Sequence, residues 1–133
     1  MRNAVLAQQI EQKLHPFSPT NDAIISVVSI GELYSIALRN KWGEKKLSLL
    51  EQFLEQFVIA DINIEEIIEN YAYLDTYSQG KIEGEPTGYT ARNMGKNDLW
   101  IAATCLYLNA ILLTTDKDFS HLQNKIIVQE FED

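Results

Sequence analysis

A chain of 133 residues, 46% of them hydrophobic, has the length of one domain and enough apolar side chains to bury a core. Nineteen acids against eleven bases leave a net charge of −8, which excludes a general phosphate-binding surface spread over the molecule. The single cysteine, Cys105, excludes an internal disulfide and a cysteine-based zinc site, and no apolar run reaches the roughly 20 residues that a bilayer requires.

At the start of the chain, Val5 or Leu6, Ile10 and Leu14 recur at helical spacing and predict a helix over about residues 2–14. His15-Pro16-Phe17-Ser18-Pro19 ends it, because proline cannot continue a helix. Gln8, Gln9, Glu11 and Lys13 interrupt the apolar patch, which therefore does not read as a signal peptide. A cytoplasmic protein is expected. Ala23–Val28 is β-branched and mostly apolar on both faces, the pattern of a buried parallel strand.

Ser29 is expected to cap a helix running to about Asn40. The next helix, around 43–57, carries Leu47, Leu50, Leu54 and Phe57 on one face, and Val58-Ile59-Ala60 is a short strand. Arg39, Lys41, Lys45 and Lys46 cluster between the two helices, either as a solvated face or as a phosphate-contacting lip. Asn63 is placed as the cap of a helix with Ile64, Ile67, Ile68, Tyr71 and Leu74 on its inner side.

Gly80, Gly84, Gly88 and Pro86 make the following stretch a loop. Asp98–Leu108 predicts a helix apolar nearly all round and hence deeply buried, with Cys105 in it as a small buried hydrophobe. Ala110–Thr115 is a strand, and Ile126-Ile127-Val128 a short last one at the edge. Strands alternating with helices imply an α/β domain over 1–133, with a mostly parallel sheet and right-handed crossovers. His15 and His121 are far apart in sequence, lack a serine or cysteine partner motif and read as surface residues; Trp42 and Trp100 read as packing residues.

Three acids stand out: Glu32, Asp98 and Asp116. Each has an ordinary explanation, as part of a Ser29–Glu32 capping box, as a carboxylate at a helix start, and as a turn residue. Topology adds a second one. A helix that follows or precedes a parallel strand starts at the sheet's carboxyl edge, where open α/β sheets bind ligands. Glu32 follows the 23–28 strand, Asp98 opens the helix before the 110–115 strand, and Asp116 lies at that strand's tip. Carboxylates converging there would repel one another unless a cation neutralised them. Oxygen donors without histidine point to Mg²⁺ or Mn²⁺, at which a water can be activated against a phosphodiester.

These segments resemble the PIN-domain ribonucleases, specifically the VapC-like toxins of type II toxin–antitoxin pairs. The resemblance is carried by Ser29-Ile30-Gly31-Glu32-Leu33-Tyr34, Gly95-Lys96-Asn97-Asp98-Leu99-Trp100-Ile101-Ala102-Ala103 and Leu113-Thr114-Thr115-Asp116-Lys117-Asp118-Phe119, and it covers essentially the whole chain. It implies a three-layer α/β/α fold and a Mg²⁺- or Mn²⁺-dependent endoribonuclease. It also implies an acidic pocket of Glu32, Asp98 and Asp116, with Asp118 assisting or replacing Asp116, and Thr115 as a polar position that orients a water. The partners it implies are an RNA substrate and a VapB-like antitoxin lying across the groove.

One departure from the family pattern is expected to matter. Family members begin with a central strand ending in an aspartate, and no such strand precedes Met1-Arg2-Asn3. The domain therefore reads as N-terminally incomplete, and the 23–28 and 110–115 strands would keep unpaired edges or pair directly. A longer natural start, completion by a second chain as in a homodimer, and a remnant of reduced activity are the three accounts. Besides the ribonuclease, an impaired remnant that binds an antitoxin or nucleic acid, and a structural assembly domain, remain alternatives.

Overall fold

The computed structural model describes residues 22–85 and 91–131, so the helix expected over 2–14, with His15, lies outside the described residues. The chain divides into two compact units, one ending at Asp61 and one beginning at Ile62.

In the first unit, β1 (Ile24–Ser26) leads into α1 (Val27–Arg39), followed by α2 (Glu44–Leu54) and β2 (Val58–Ala60). β1 and β2 pair in parallel, Ile25 opposite Ile59. The strand expected over 23–28 stops early. Ser26 caps α1, its Oγ accepting the Val28 N–H at 3.1 Å, and this draws the β-branched Val27 and Val28 into the helix. Ser29 is then the third helical residue, and the Ser29–Glu32 capping box does not form. The first strand is also less buried than its pattern suggests, with Ile24 exposed and Ser26 buried.

The second unit contains α3 (Glu65–Ser78), α4 (Lys96–Leu108), β3 (Ile111–Thr114), a 3₁₀ turn (Lys117–Leu122) and β4 (Ile127–Glu130). β3 and β4 pair in parallel, from Ile111 opposite Ile127 to Thr114 opposite Glu130. α3 starts one residue later than expected, with Ile64 rather than Asn63 at its cap.

The core of this unit joins Ile67, Leu74 and Tyr77 of α3 to Leu99, Ala102 and Ala103 of α4, and these to Leu112, Phe119, Leu122 and Ile126. Ile68, expected on the inner face of α3, is exposed. α4 is buried over Leu99 and Ala102–Thr104, while its last residues, Tyr107 and Leu108, are exposed. Its small Ala102 and Ala103 allow α3 to pack closely, and Asn70 of α3 donates to the Ala103 carbonyl at 3.3 Å. The α4 helix ends on Asn109 in the left-handed conformation, φ 51°, where asparagine is one of the few tolerated residues besides glycine.

Tyr73, Glu85 and Lys125 tie the loop after α3 to the approach to β4. The Tyr73 hydroxyl donates to both Glu85 carboxylate oxygens, at 2.7 and 3.0 Å, and Lys125 forms an ion pair with Glu85. The Lys125 ammonium also lies 4.9 Å from the centre of the Tyr77 ring. Hydrogen bonding from Lys125, then from Tyr73, holds the Glu85 carboxyl below its ordinary range.

Candidate metal centre

Asp98 is the third residue of α4, in the first turn, where the helix dipole favours a carboxylate. The preceding Gly95 occupies the cap position and offers no side-chain acceptor. An added Cβ there would meet an Asp98 carboxylate oxygen at 3.8 Å, an ordinary contact, so the backbone of the cap lies beside the carboxylate.

Asp116 leaves the tip of β3 through two successive side-chain turns. Its N–H donates to Thr114 Oγ1 at 2.9 Å, and its own Oδ1 accepts the Asp118 N–H at 2.9 Å, capping the 3₁₀ turn. Phe119 and Leu122 anchor that turn in the core. The backbone carrying Asp116 and Asp118 is thereby fixed on both sides. Thr114, which sequence reasoning did not single out, supplies the contact; Thr115 is exposed at the strand tip.

The result is a gathering of Asp98, Asp116 and Asp118, each offering one carboxylate oxygen within 4.8 Å of the others. Three oxygen donors without histidine or cysteine suit a hard divalent cation. Of the two aspartates left open at the strand tip, both join the group. Glu32 belongs to the other unit, exposed in the second turn of α1 rather than the first, and released from the capping role that would have accounted for it.

A further contact lies behind the 3₁₀ turn. His121 Nε2 is 2.8 Å from the Oγ of Ser78, which also donates to the Met94 sulfur at 3.3 Å. His121 is thus half-buried rather than a surface residue, and its serine neighbour stands 43 positions away. Ser78 is fully buried, out of reach of any substrate, so the pair is a brace between α3 and the turn that bears Asp118. Burial, and then the positive Arg92, push the imidazole pKa down, while Asp118 opposes them. The Cys105 thiol is pushed up to about 11 by burial, as suits an inert packing residue.

Comparison with known proteins supports the same architecture. Ribonuclease VapC1 of Haemophilus influenzae strain R2866 is 28% identical over 123 residues, covering 91% of this chain and 81% of that protein. Its counterpart in strain 86-028NP matches equally. Two solved structures are similar at 25% identity. VapBC-1 of nontypeable Haemophilus influenzae has a TM-score of 0.72, covering 97% of this chain and 86% of that one. VapBC2 of Rickettsia felis, bound to a DNA fragment from its promoter, has a TM-score of 0.74, covering 95% and 84%. The PIN domain family itself matches residues 2–125. A match of that extent, in a chain whose strands pair in parallel and whose carboxylates gather at a strand tip, makes this protein a member of the PIN-domain family.

Proposed function

We propose that this chain is a divalent-metal-dependent endoribonuclease of the VapC toxin type, restrained by a VapB-like antitoxin. The convergence of Asp98, Asp116 and Asp118 carries the reading. The single family match running across both units supports treating them as one PIN domain. The relatives' names, a ribonuclease and two VapBC complexes, supply the activity and the kind of partner. Association of two copies belongs to the same proposal; a solution mass of one chain would count against it.

The all-oxygen donor set favours Mg²⁺ or Mn²⁺. When bound, such an ion supplies positive charge at the scissile phosphate and acidifies water beside it. The protein's own part is to hold three carboxylates in place on a rigid turn and helix start, so that little reorganisation is needed. Thr115, exposed beside Asp116, is the proposed water-orienting hydroxyl. Glu32 is a catalytic candidate on the strength of its motif alone, and Glu32→Gln tests it separately.

The decisive substitution is Asp98→Asn, which keeps size and helix position while removing a charge. Cleavage of single-stranded RNA in Mg²⁺ should fall about 100-fold or more, with thermal stability near that of the parent. Unchanged cleavage would remove Asp98 from the site.

The second reading is a PIN domain that captures an antitoxin or nucleic acid without cleaving RNA. Mg²⁺ titration by calorimetry separates the two. Ion binding with RNA turnover supports the enzyme, and absence of both supports the second reading.

A further inference from the structure

Four of the eleven basic residues of this acidic chain fall within the eight positions 39–46. Arg39, Lys41, Lys45 and Lys46 are all exposed, and none is paired with a carboxylate among the described residues. Glu44 is the single acid between them. They surround the turn from α1 to α2, within one compact unit.

The turn is built with some strain. The Trp42 N–H donates to the Ala37 carbonyl at 3.0 Å and the Lys41 N–H to the Leu38 carbonyl at 3.2 Å, the paired hydrogen bonds of a Schellman ending. Such an ending requires a left-handed residue, normally glycine. Here it is Lys41, at φ 52°. A lysine is thus kept where its backbone is unfavourable, which directs attention to its side chain.

Two of the other cations are positioned. The Lys46 ammonium sits 4.3 Å from the centre of the Trp42 ring. Arg39 Nε donates to the Ser35 carbonyl at 3.4 Å, turning its guanidinium back along α1. Glu32 lies seven residues earlier, two helical turns and about 10 Å away on the same face. One face of α1 therefore presents a candidate catalytic carboxylate and, at the end of the helix, the first of the four cations.

We propose that the α1–α2 turn is an RNA docking surface, its Arg39, Lys41, Lys45 and Lys46 contacting backbone phosphates. The proposal rests on the ribonuclease reading for its choice of polyanion. Point charges without a carboxylate partner among the described residues suit successive phosphates, and such contacts give affinity without sequence preference.

The test is fluorescence anisotropy of a labelled single-stranded RNA with the full chain, in EDTA to prevent cleavage, across about 50 to about 200 mM KCl. Lys41→Gly removes a charge while relieving the left-handed backbone. It should bind RNA more weakly and melt no lower than the parent. Each lost contact should flatten the plot of log affinity against log salt by about 0.7, hence about 1.4 for Lys41→Gly with Lys45→Gln. Lys81→Gln, at an exposed lysine of the other unit, should leave the slope unchanged. Parental slopes in the turn variants, with Mg²⁺-supported cleavage intact in the parent, would overturn the docking surface and leave the ribonuclease standing. Flattened slopes without any cleavage would keep the surface and overturn the enzyme. Neither binding nor cleavage by the parent would overturn both. Loss of binding to an acidic polyglutamate peptide, with RNA binding unchanged, would overturn the RNA proposal in favour of an acidic protein.

Discussion

The two units of the chain spend their apolar residues differently. From Ile62 onward, ten buried residues, from two helices, a strand, a 3₁₀ turn and Ile126 just before β4, form one continuous cluster. Among the described residues up to Asp61, only Ser26, Ala37 and Leu50 are buried, while Leu38 is 80% exposed and Val58 and Ile59 are each 57% exposed. The three aspartates that meet within coordination range all stand on the well-packed unit. Convergent like charges need a backbone that cannot relax away from them, and the anchored turn provides it. The other unit carries the exposed cations and Glu32 on a scaffold that buries little among those residues.

The contrast predicts its largest effect at Leu74, fully buried between α3 and its neighbours. Leu74→Ala should cost about 2–5 kcal/mol in urea unfolding. Leu38→Ala, at the exposed position, should stay within about 0.5 kcal/mol. Equal costs would mean that the two units do not differ in packing as their burial suggests.

A smaller effect separates structure from chemistry within the acid cluster. Asp116 both caps the 3₁₀ turn and faces its fellow aspartates. Asp116→Asn keeps a cap acceptor and should retain stability while weakening Mg²⁺ binding, read by calorimetry. Asp116→Ala should lose about 1 kcal/mol as well. If both variants bound Mg²⁺ like the parent, Asp116 would be a turn residue alone. In the first unit, Ser26→Ala should likewise cost about 1 kcal/mol, because the Val28 N–H loses its acceptor.

What was legible in the sequence follows from the same distinction. Asp98 and Asp116 could be placed because each sits where an unmistakable element begins or ends, and element ends in an α/β fold have a known edge. The boundary at Ser26 could not, because Val27-Val28 extend the β-branched run of the strand and place the expected cap at Ser29. Local hydrogen bonding at Ser26 outweighed β propensity there. The role of Thr114 depends on a turn geometry that the sequence leaves equally open to Thr115. The Ser78–His121 contact joins residues 43 positions apart, and no periodicity or motif encodes such a meeting.

That contact yields the smallest effect and the most specific sign. The His121 pKa is lowered in the folded chain from its ordinary 6.5, chiefly by burial and then by Arg92. The unfolded chain therefore binds a proton at a pH where the folded chain does not. Stability contributed by neutral His121 is full above about pH 6.5 and falls as pH drops through the interval between the unfolded and folded values. Glu85, whose carboxyl is held low by Lys125 and Tyr73, acts in a separate window, its contribution disappearing only below its ordinary 4.5. Unfolding curves taken from pH 7.5 to about pH 5 should thus show a modest decline that His121→Gln removes. A decline of the same size in the variant would assign it to other groups, and would leave the brace behind the 3₁₀ turn insensitive to the proton.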